Sequence, residues 1–128
     1  MLGLTREVNS SLKEILSTIL WAAGGKKALD SVVLDLRKIT SMADYFFICS
    51  GESTTQVRAI ADGIIERLKN KKVRLWHSEG YEEARWILLD YGMIIVHVFY
   101  KETREFYNLE GLWADAPQVQ IDGAVAQR

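Results

Sequence analysis

Covalent or acid–base chemistry in this 128-residue chain would have to come from one cysteine, two histidines and scattered acids. Cys49 lies in the apolar run Asp44-Tyr-Phe-Phe-Ile-Cys-Ser50, where a lone cysteine behaves as a small hydrophobe. It forms no internal disulfide, which fits a reducing cytoplasm. His97 stands inside Met93-Ile-Ile-Val-His-Val-Phe99 and reads as a packed or partner-facing side chain rather than a general base. No serine occupies a G-x-S-x-G elbow, so a hydrolase is poorly supported.

Metal and phosphate chemistry are no better supplied. The chain has no H-E-x-x-H, no C-x-x-C and no histidine pair at helical spacing. Glu82 and Glu83 are adjacent and so do not share a face. We therefore expect no catalytic residue, no metal and no cofactor. Gly24-Gly25-Lys26-Lys27 follows a helical pattern and reads as a helix stop with solvated lysines. Ser50-Gly51 before a helix, with Asp35, Asp44 and Asp90 elsewhere, resembles the layout of a nucleotidyltransferase, so a nucleotide-using transferase stands as the alternative reading. That chemistry wants two carboxylates one residue apart on a strand to hold paired metal ions, and no predicted strand carries them.

Binding is better supplied. The net charge of −1 is a cancellation: residues 1–74 hold 12 Lys and Arg against 8 Asp and Glu, and residues 75–128 hold 4 against 9. A basic front and an acidic back bear on partners more than on fold. The basic run Arg67, Lys69, Lys71, Lys72 and Arg74 suits a helix C-terminus and, lacking interleaved aromatics, offers only a peripheral RNA contact. The back half mixes Trp76, Trp86, Tyr91, Phe99, Phe106, Tyr107 and Trp113 with Glu79, Glu82, Glu83, Asp90, Glu102, Glu105, Glu110 and Asp115. Aromatic anchors rimmed by acids suit a surface for a basic protein. The same rings would also serve to finish a core or to be hidden by self-association, and those alternatives stay open.

The elements that must position these residues follow from periodicity. At 48% hydrophobic and 26% charged the composition is that of a soluble globular domain, and no apolar run approaches the ~18 residues of a membrane helix. Leu12, Ile15, Leu16, Ile19 and Leu20 form one helical stripe, with Ser11 and Glu14 spaced as a capping box and Gly24-Gly25 as the stop. Ser31–Leu36 and Asp44–Ser50 read as strands. Ser53, with Gln56, caps a helix that buries Val57, Ile60, Ala61, Ile64, Ile65 and Leu68. Val73–His77 is expected to return as a crossover strand beside the first two. Trp86–Asp90 and Met93–Phe99 pair as a hairpin through Tyr91-Gly92. Lys101–Trp113 has a weaker helical pattern with Phe106, Leu109, Leu112 and Trp113 on one side. The expected fold is α/β (α+β), a mixed sheet of about five strands packed with helices. A single domain covers residues 1–117, and 118–128 form a flexible tail.

Four stretches, taken in order, resemble one family: Asp44-Tyr-Phe-Phe-Ile-Cys-Ser-Gly51, Trp86-Ile-Leu-Leu-Asp-Tyr-Gly92, Val96-His-Val-Phe99 and Arg104-Glu-Phe-Tyr-Asn-Leu-Glu-Gly-Leu-Trp113. Across residues 10–117 the chain is similar to the ribosomal silencing factors (RsfS, Iojap). The resemblance implies a non-catalytic cytoplasmic factor that binds ribosomal protein L-fourteen on the intersubunit face of the large subunit. Such a factor obstructs joining of the small subunit and represses translation when nutrients are scarce; organellar relatives assist large-subunit assembly. It also implies a nucleotidyltransferase-like topology without the catalytic acids. By position in the matching motifs, Trp86, Asp90, Tyr91 and His97 are expected at the partner surface, with Glu79, Glu110 and Trp113 alongside. The family usually carries an acid after the turn glycine where this chain has Met93, so contacts attributed to that acid do not carry over. A homodimer when free is a further expectation, and no membrane partner is expected.

Overall fold

The computed structural model describes residues 2–121, with side chains described from Ser11 onward. Helix α1 spans Leu2–Gly25, so Ser11 lies within it and does not cap it. No proline interrupts the residues before Ser11, and the helical ladder runs on through them. Leu12, Leu16, Ile19, Ala22 and Ala23 form its buried stripe. The helix ends at the double glycine as expected, but the left-handed residue that turns the chain out is Lys27 (φ 63°), with the Lys26 and Ala28 amides both donating to the Ala23 carbonyl at 3.0 Å.

Strands β1 (Leu29–Asp35) and β2 (Tyr45–Gly51) pair antiparallel, and β2 is buried along its whole length. Helix α2 (Thr54–Asn70) starts at the expected cap, where Ser53 Oγ accepts from the Gln56 amide at 3.0 Å. Gln56 turns back to the Glu52 amide rather than that of Ser53, and its Nε2 donates to the Lys26 and Lys27 carbonyls. One side chain thus ties the start of α2 to the end of α1. Val57, Ile60, Ala61, Ile64 and Leu68 are buried as the spacing requires, with Ile65 partly so.

Among the described residues the sheet has five strands in the order β1-β2-β5-β4-β3. The hairpin of β4 (Trp86–Asp90) and β5 (Ile94–Tyr100) forms as expected, but β5, not Val73–His77, is the parallel neighbour of β2. A central strand covered on both faces, as β5 is, needs apolar residues on both. Ile94–Phe99 supplies them, whereas Val73–His77 alternates with charge. Residues 73–76 instead reach across to the far edge, with Val73 and Leu75 packed on the core. The ladder there is only β3 (His77–Glu79), fully exposed and antiparallel to β4.

The expected single helix after β5 is two: α3 (Lys101–Tyr107) and α4 (Leu109–Leu112), broken at Asn108 in the left-handed conformation (φ 48°). The apolar side predicted there does not bury as a unit. Leu109 goes in and Trp113 is half-buried, while Phe106 and Leu112 are 79% and 77% exposed. The buried anchor is a charge, Arg104, whose guanidinium donates to Ser50 Oγ at 2.8 Å and to Glu110 Oε2 at 2.7 Å. It pins the α3–α4 segment to the end of β2.

Nor does the chain leave the domain at Pro117. The Asp35 amide donates to the Pro117 carbonyl and the Val119 amide to the Val33 carbonyl, and Ile121 is buried in the core. Residues 117–119 therefore cover the outer edge of β1, which would otherwise present unpaired amides and carbonyls. The rest of the expected tail, 122–128, lies outside the described residues.

Candidate partner-binding face

Alternation along the strands divides the sheet into two faces. Val33, Phe47, Cys49, Ile87, Leu89, Val96 and Val98 point toward α1 and α2 in the larger core. Leu34, Phe46, Ile48 and Phe99 point the other way, where Leu109, Ala116 and Trp113 cover them. That second cover stops short of β3 and reaches β4 only at Trp86, through Tyr107.

Register then decides what lies in the uncovered part. Residues directly opposite in antiparallel strands share a face. Glu79 pairs with Leu88 and Leu88 with His97; His77 pairs with Asp90 and Asp90 with Ile95. Two rows thus cross three strands, Glu79–Leu88–His97 and His77–Asp90–Ile95, and Trp86 beside Phe99 begins a third. Leu88, Ile95 and Trp86 are half-buried, and Glu79 and His77 are exposed, their side chains 2.8 Å apart. An apolar strip with acids on its rim results.

Trp86 is the fixed point of this strip. Its indole Nε1 donates to His97 Nδ1 at 3.1 Å, and its ring lies 4.8 Å from that of Phe99 and 5.2 Å from that of Tyr107. His97 itself is buried, so it positions Trp86 and presents no surface. With Nδ1 accepting, the proton sits on Nε2, which is buried and has no partner among the described residues. Burial pushes the His97 pKa down to about 4, which keeps the ring neutral at pH 7. The bond to Trp86 needs that neutral form.

The other expected surface residues separate. Asp90 stays on the face, with Oδ1 accepting from the Gly92 amide at 2.8 Å, so it also holds the hairpin turn. Gly92 takes φ +89° there, and the Trp76 ring packs against it. Tyr91 turns to the opposite side and packs on the helix-side core, with burial pushing its phenol up to about 12. Glu110 is committed to Arg104 and is not free for a partner. Trp113 packs edge-to-face on Phe46, its ring centroid 5.6 Å away. Met93 is 53% exposed while its carbonyl accepts from the Asp44 and Tyr45 amides. Its side chain contributes surface chemistry at the turn, and the backbone ties to β2 do not depend on it.

Sequence reasoning missed Leu88, Ile95 and His77 as members of the face. The signal for Leu88 was present in the alternation of Trp86, Leu88 and Asp90 against Ile87 and Leu89. For the chemistry weighed earlier, Cys49 is fully buried and burial raises its thiol to about 12, far from a reactive thiolate. Among the described residues no three His, Cys, Asp or Glu side chains converge on a metal position.

The fold and face define a small α+β domain with one sheet face sealed and the other open at one end. A sequence model for the family described as "Ribosomal silencing factor during starvation" matches residues 9–128. The ribosomal silencing factor RsfS of Bacillus subtilis is 44% identical over 115 residues, which are 90% of this chain and 98% of that one. The mouse protein named mitochondrial assembly of ribosomal large subunit protein 1 is 33% identical over 91 residues, 69% of this chain and 40% of that one. A crystal structure of a protein from Bacillus halodurans is similar with a TM-score of 0.75 and 41% identity, covering 84% of this chain and 97% of that one. The chain belongs to the ribosomal silencing factor family, as its motifs implied.

Proposed function

We propose that this chain is a non-catalytic, cytoplasmic silencing factor that docks on the large ribosomal subunit through the β3–β4–β5 face. Its partner there is ribosomal protein L-fourteen, and its bulk at the intersubunit side obstructs joining of the small subunit under nutrient limitation. The observation that carries this reading is the apolar strip of Trp86, Leu88 and Ile95, rimmed by Asp90 and Glu79, at the end of the sheet face that α3 and α4 leave open. A rigid aromatic anchor with carboxylates beside it suits a basic protein surface. Steric exclusion needs no bond making, which accords with the buried thiol and the internally bonded histidine. A secondary contact with ribosomal RNA phosphates would fall to the exposed cations Lys69, Lys71, Lys72 and Arg74 at the end of α2, since Arg67 is stacked on the Trp21 ring at 3.4 Å. Assistance in large-subunit assembly is the second reading, favoured by the name of the mouse relative.

Co-sedimentation with purified subunits tests the docking. Added protein is expected to travel with large subunits and to shift coupled ribosomes toward free subunits. Asp90→Lys should weaken retention about tenfold, most at low salt, where exposed charges are least screened. Unchanged couples at saturating protein, or full retention of Asp90→Lys and Trp86→Ala, would overturn the reading.

A further inference from the structure

Beside the β3–β4 edge a groove of about 730 Å³ lies between the 78–85 segment and α3. Trp86 and Tyr100 line it from the sheet, and Phe106 and Tyr107 from α3, with Phe106 79% and Tyr107 52% exposed. Rings this exposed have not been used to build the core. Four glutamates surround them: Glu79, Glu82, Glu83 and Glu102, all exposed. Glu79 meets His77, but the carboxylates of Glu82, Glu83 and Glu102 have no hydrogen-bond or ion-pair partner among the described residues.

The wall carrying the acids is held in place. Tyr81 donates its hydroxyl to Asp62 at 2.9 Å, and Arg58 donates to the Tyr81 and Glu82 carbonyls. Gly80 takes φ +84°, and a Cβ there would fall 2.1 Å from the Trp86 carbonyl oxygen, so the segment lies directly against the strand. A groove with ring faces and unpaired carboxylates on a fixed frame repels an anion and selects a cation. Of the two side-chain cations, a guanidinium stacks flat on a ring while its edge bonds to carboxylates, which an ammonium cannot do. The lining holds one cation of its own, Arg85, whose guanidinium carbon is 6.0 Å from the Tyr100 ring centroid, at the outer limit of a cation–π contact, so it offsets one of the four acids and leaves the rings unstacked.

We propose that this groove receives an arginine side chain from a basic protein segment. For a chain docked as described above, that segment belongs to the ribosomal partner, and in this respect the inference rests on the docking reading. The site itself is decided on the isolated protein.

The test is an NMR titration of the full chain with a capped (Gly-Arg)4 peptide, its citrulline counterpart and (Gly-Lys)4. Citrulline keeps the shape of arginine and removes the charge. The Trp86 indole resonance and the amides of Glu82, Glu83 and Phe106 should shift and saturate with the arginine peptide. The citrulline peptide should bind about tenfold more weakly or less, with the lysine peptide between them. The double variant Glu82→Lys/Glu83→Lys, whose changes are on the surface, should keep its dispersed spectrum and lose at least about tenfold in affinity. Arg85→Ala should bind as tightly or more tightly. Equal binding of arginine and citrulline peptides, or shifts spread over all acidic surfaces and unmoved by the double variant, overturns the proposal. Co-sedimentation reports separately: wild type that fails to travel with large subunits sinks the docking reading, whatever the titration shows of the groove.

Discussion

Leu88 and Leu89 are neighbours in β4 with identical side chains and opposite surroundings. Leu89 is fully buried against the helix-side core; Leu88 is half-buried on the face that ends in solvent. The strands supply apolar residues to both faces, as Phe46 and Phe47 of β2 show. What differs is the cover. Helix α2 has 17 residues and lies beside the long α1, whereas α3 and α4 have seven and four. At 1.5 Å per residue the short pair reaches only about 10 Å and 6 Å. An open face here is a matter of how far the cover extends, not of how polar the strands are.

The largest effect that would sharpen this contrast is Phe47→Ala on the sealed face. It should cost about 3–5 kcal/mol in urea unfolding, because a fully buried ring leaves a cavity that close-packed helices cannot fill. Retention on large subunits, per folded molecule, should not change. A loss below about 1 kcal/mol would mean that this face is not the main source of stability.

Acidification probes the line between the covered and open parts of the second face, where His97 sits. Its pKa is held near 4 by burial, whereas an unfolded histidine titrates near 6.5. The unfolded chain therefore takes up a proton below about pH 6.5 that the folded chain refuses until about pH 4. The stability associated with neutral His97 is whole above the unfolded value and is lost as pH falls between the two, by up to about 3 kcal/mol. Urea midpoints measured from pH 7 to pH 4 should fall more steeply for wild type than for His97→Gln. Parallel curves would show that His97 is not the group being strained.

The smallest stability effect belongs to Leu88→Ala, which should cost about 1 kcal/mol because that side chain is only partly buried and leaves no closed cavity. Its retention on large subunits should nevertheless drop about tenfold. A stability loss matching that of Leu89→Ala would erase the distinction between the faces.

Local signals carried far in this chain. Ser53 and Gln56 announced the start of α2, Gly24-Gly25 the end of α1, and Tyr91-Gly92 the hairpin, since each acts on backbone groups within a few residues. The burial of Cys49 was equally legible from its apolar run. The failures needed partners far away. Arg104 reads as a surface cation in a helical pattern, yet it is buried because Ser50 and the Leu29 carbonyl, 54 and 75 residues distant, meet its guanidinium. Glu110 follows it inward for the same reason. Tyr91 is adjacent to Asp90 in the motif that marks the family, but the turn sends the two to opposite sides.

Local pattern was enough for α2, β1, β2, the β4–β5 hairpin, the α+β class and the family, because periodicity, caps and motif order are properties of the chain read locally; it misplaced β3, the start of α1 and the break at Asn108. The sequence also determined that acids and aromatics would gather in the second half. Only the tertiary structure decided which of them share a surface. Strand order set β5 beside β2, and register aligned Glu79 with Leu88 and Asp90 with Ile95. The short α3–α4 cover then left that strip in solvent. Register and cover arise from contacts between residues far apart in the chain, whose energies no local pattern contains.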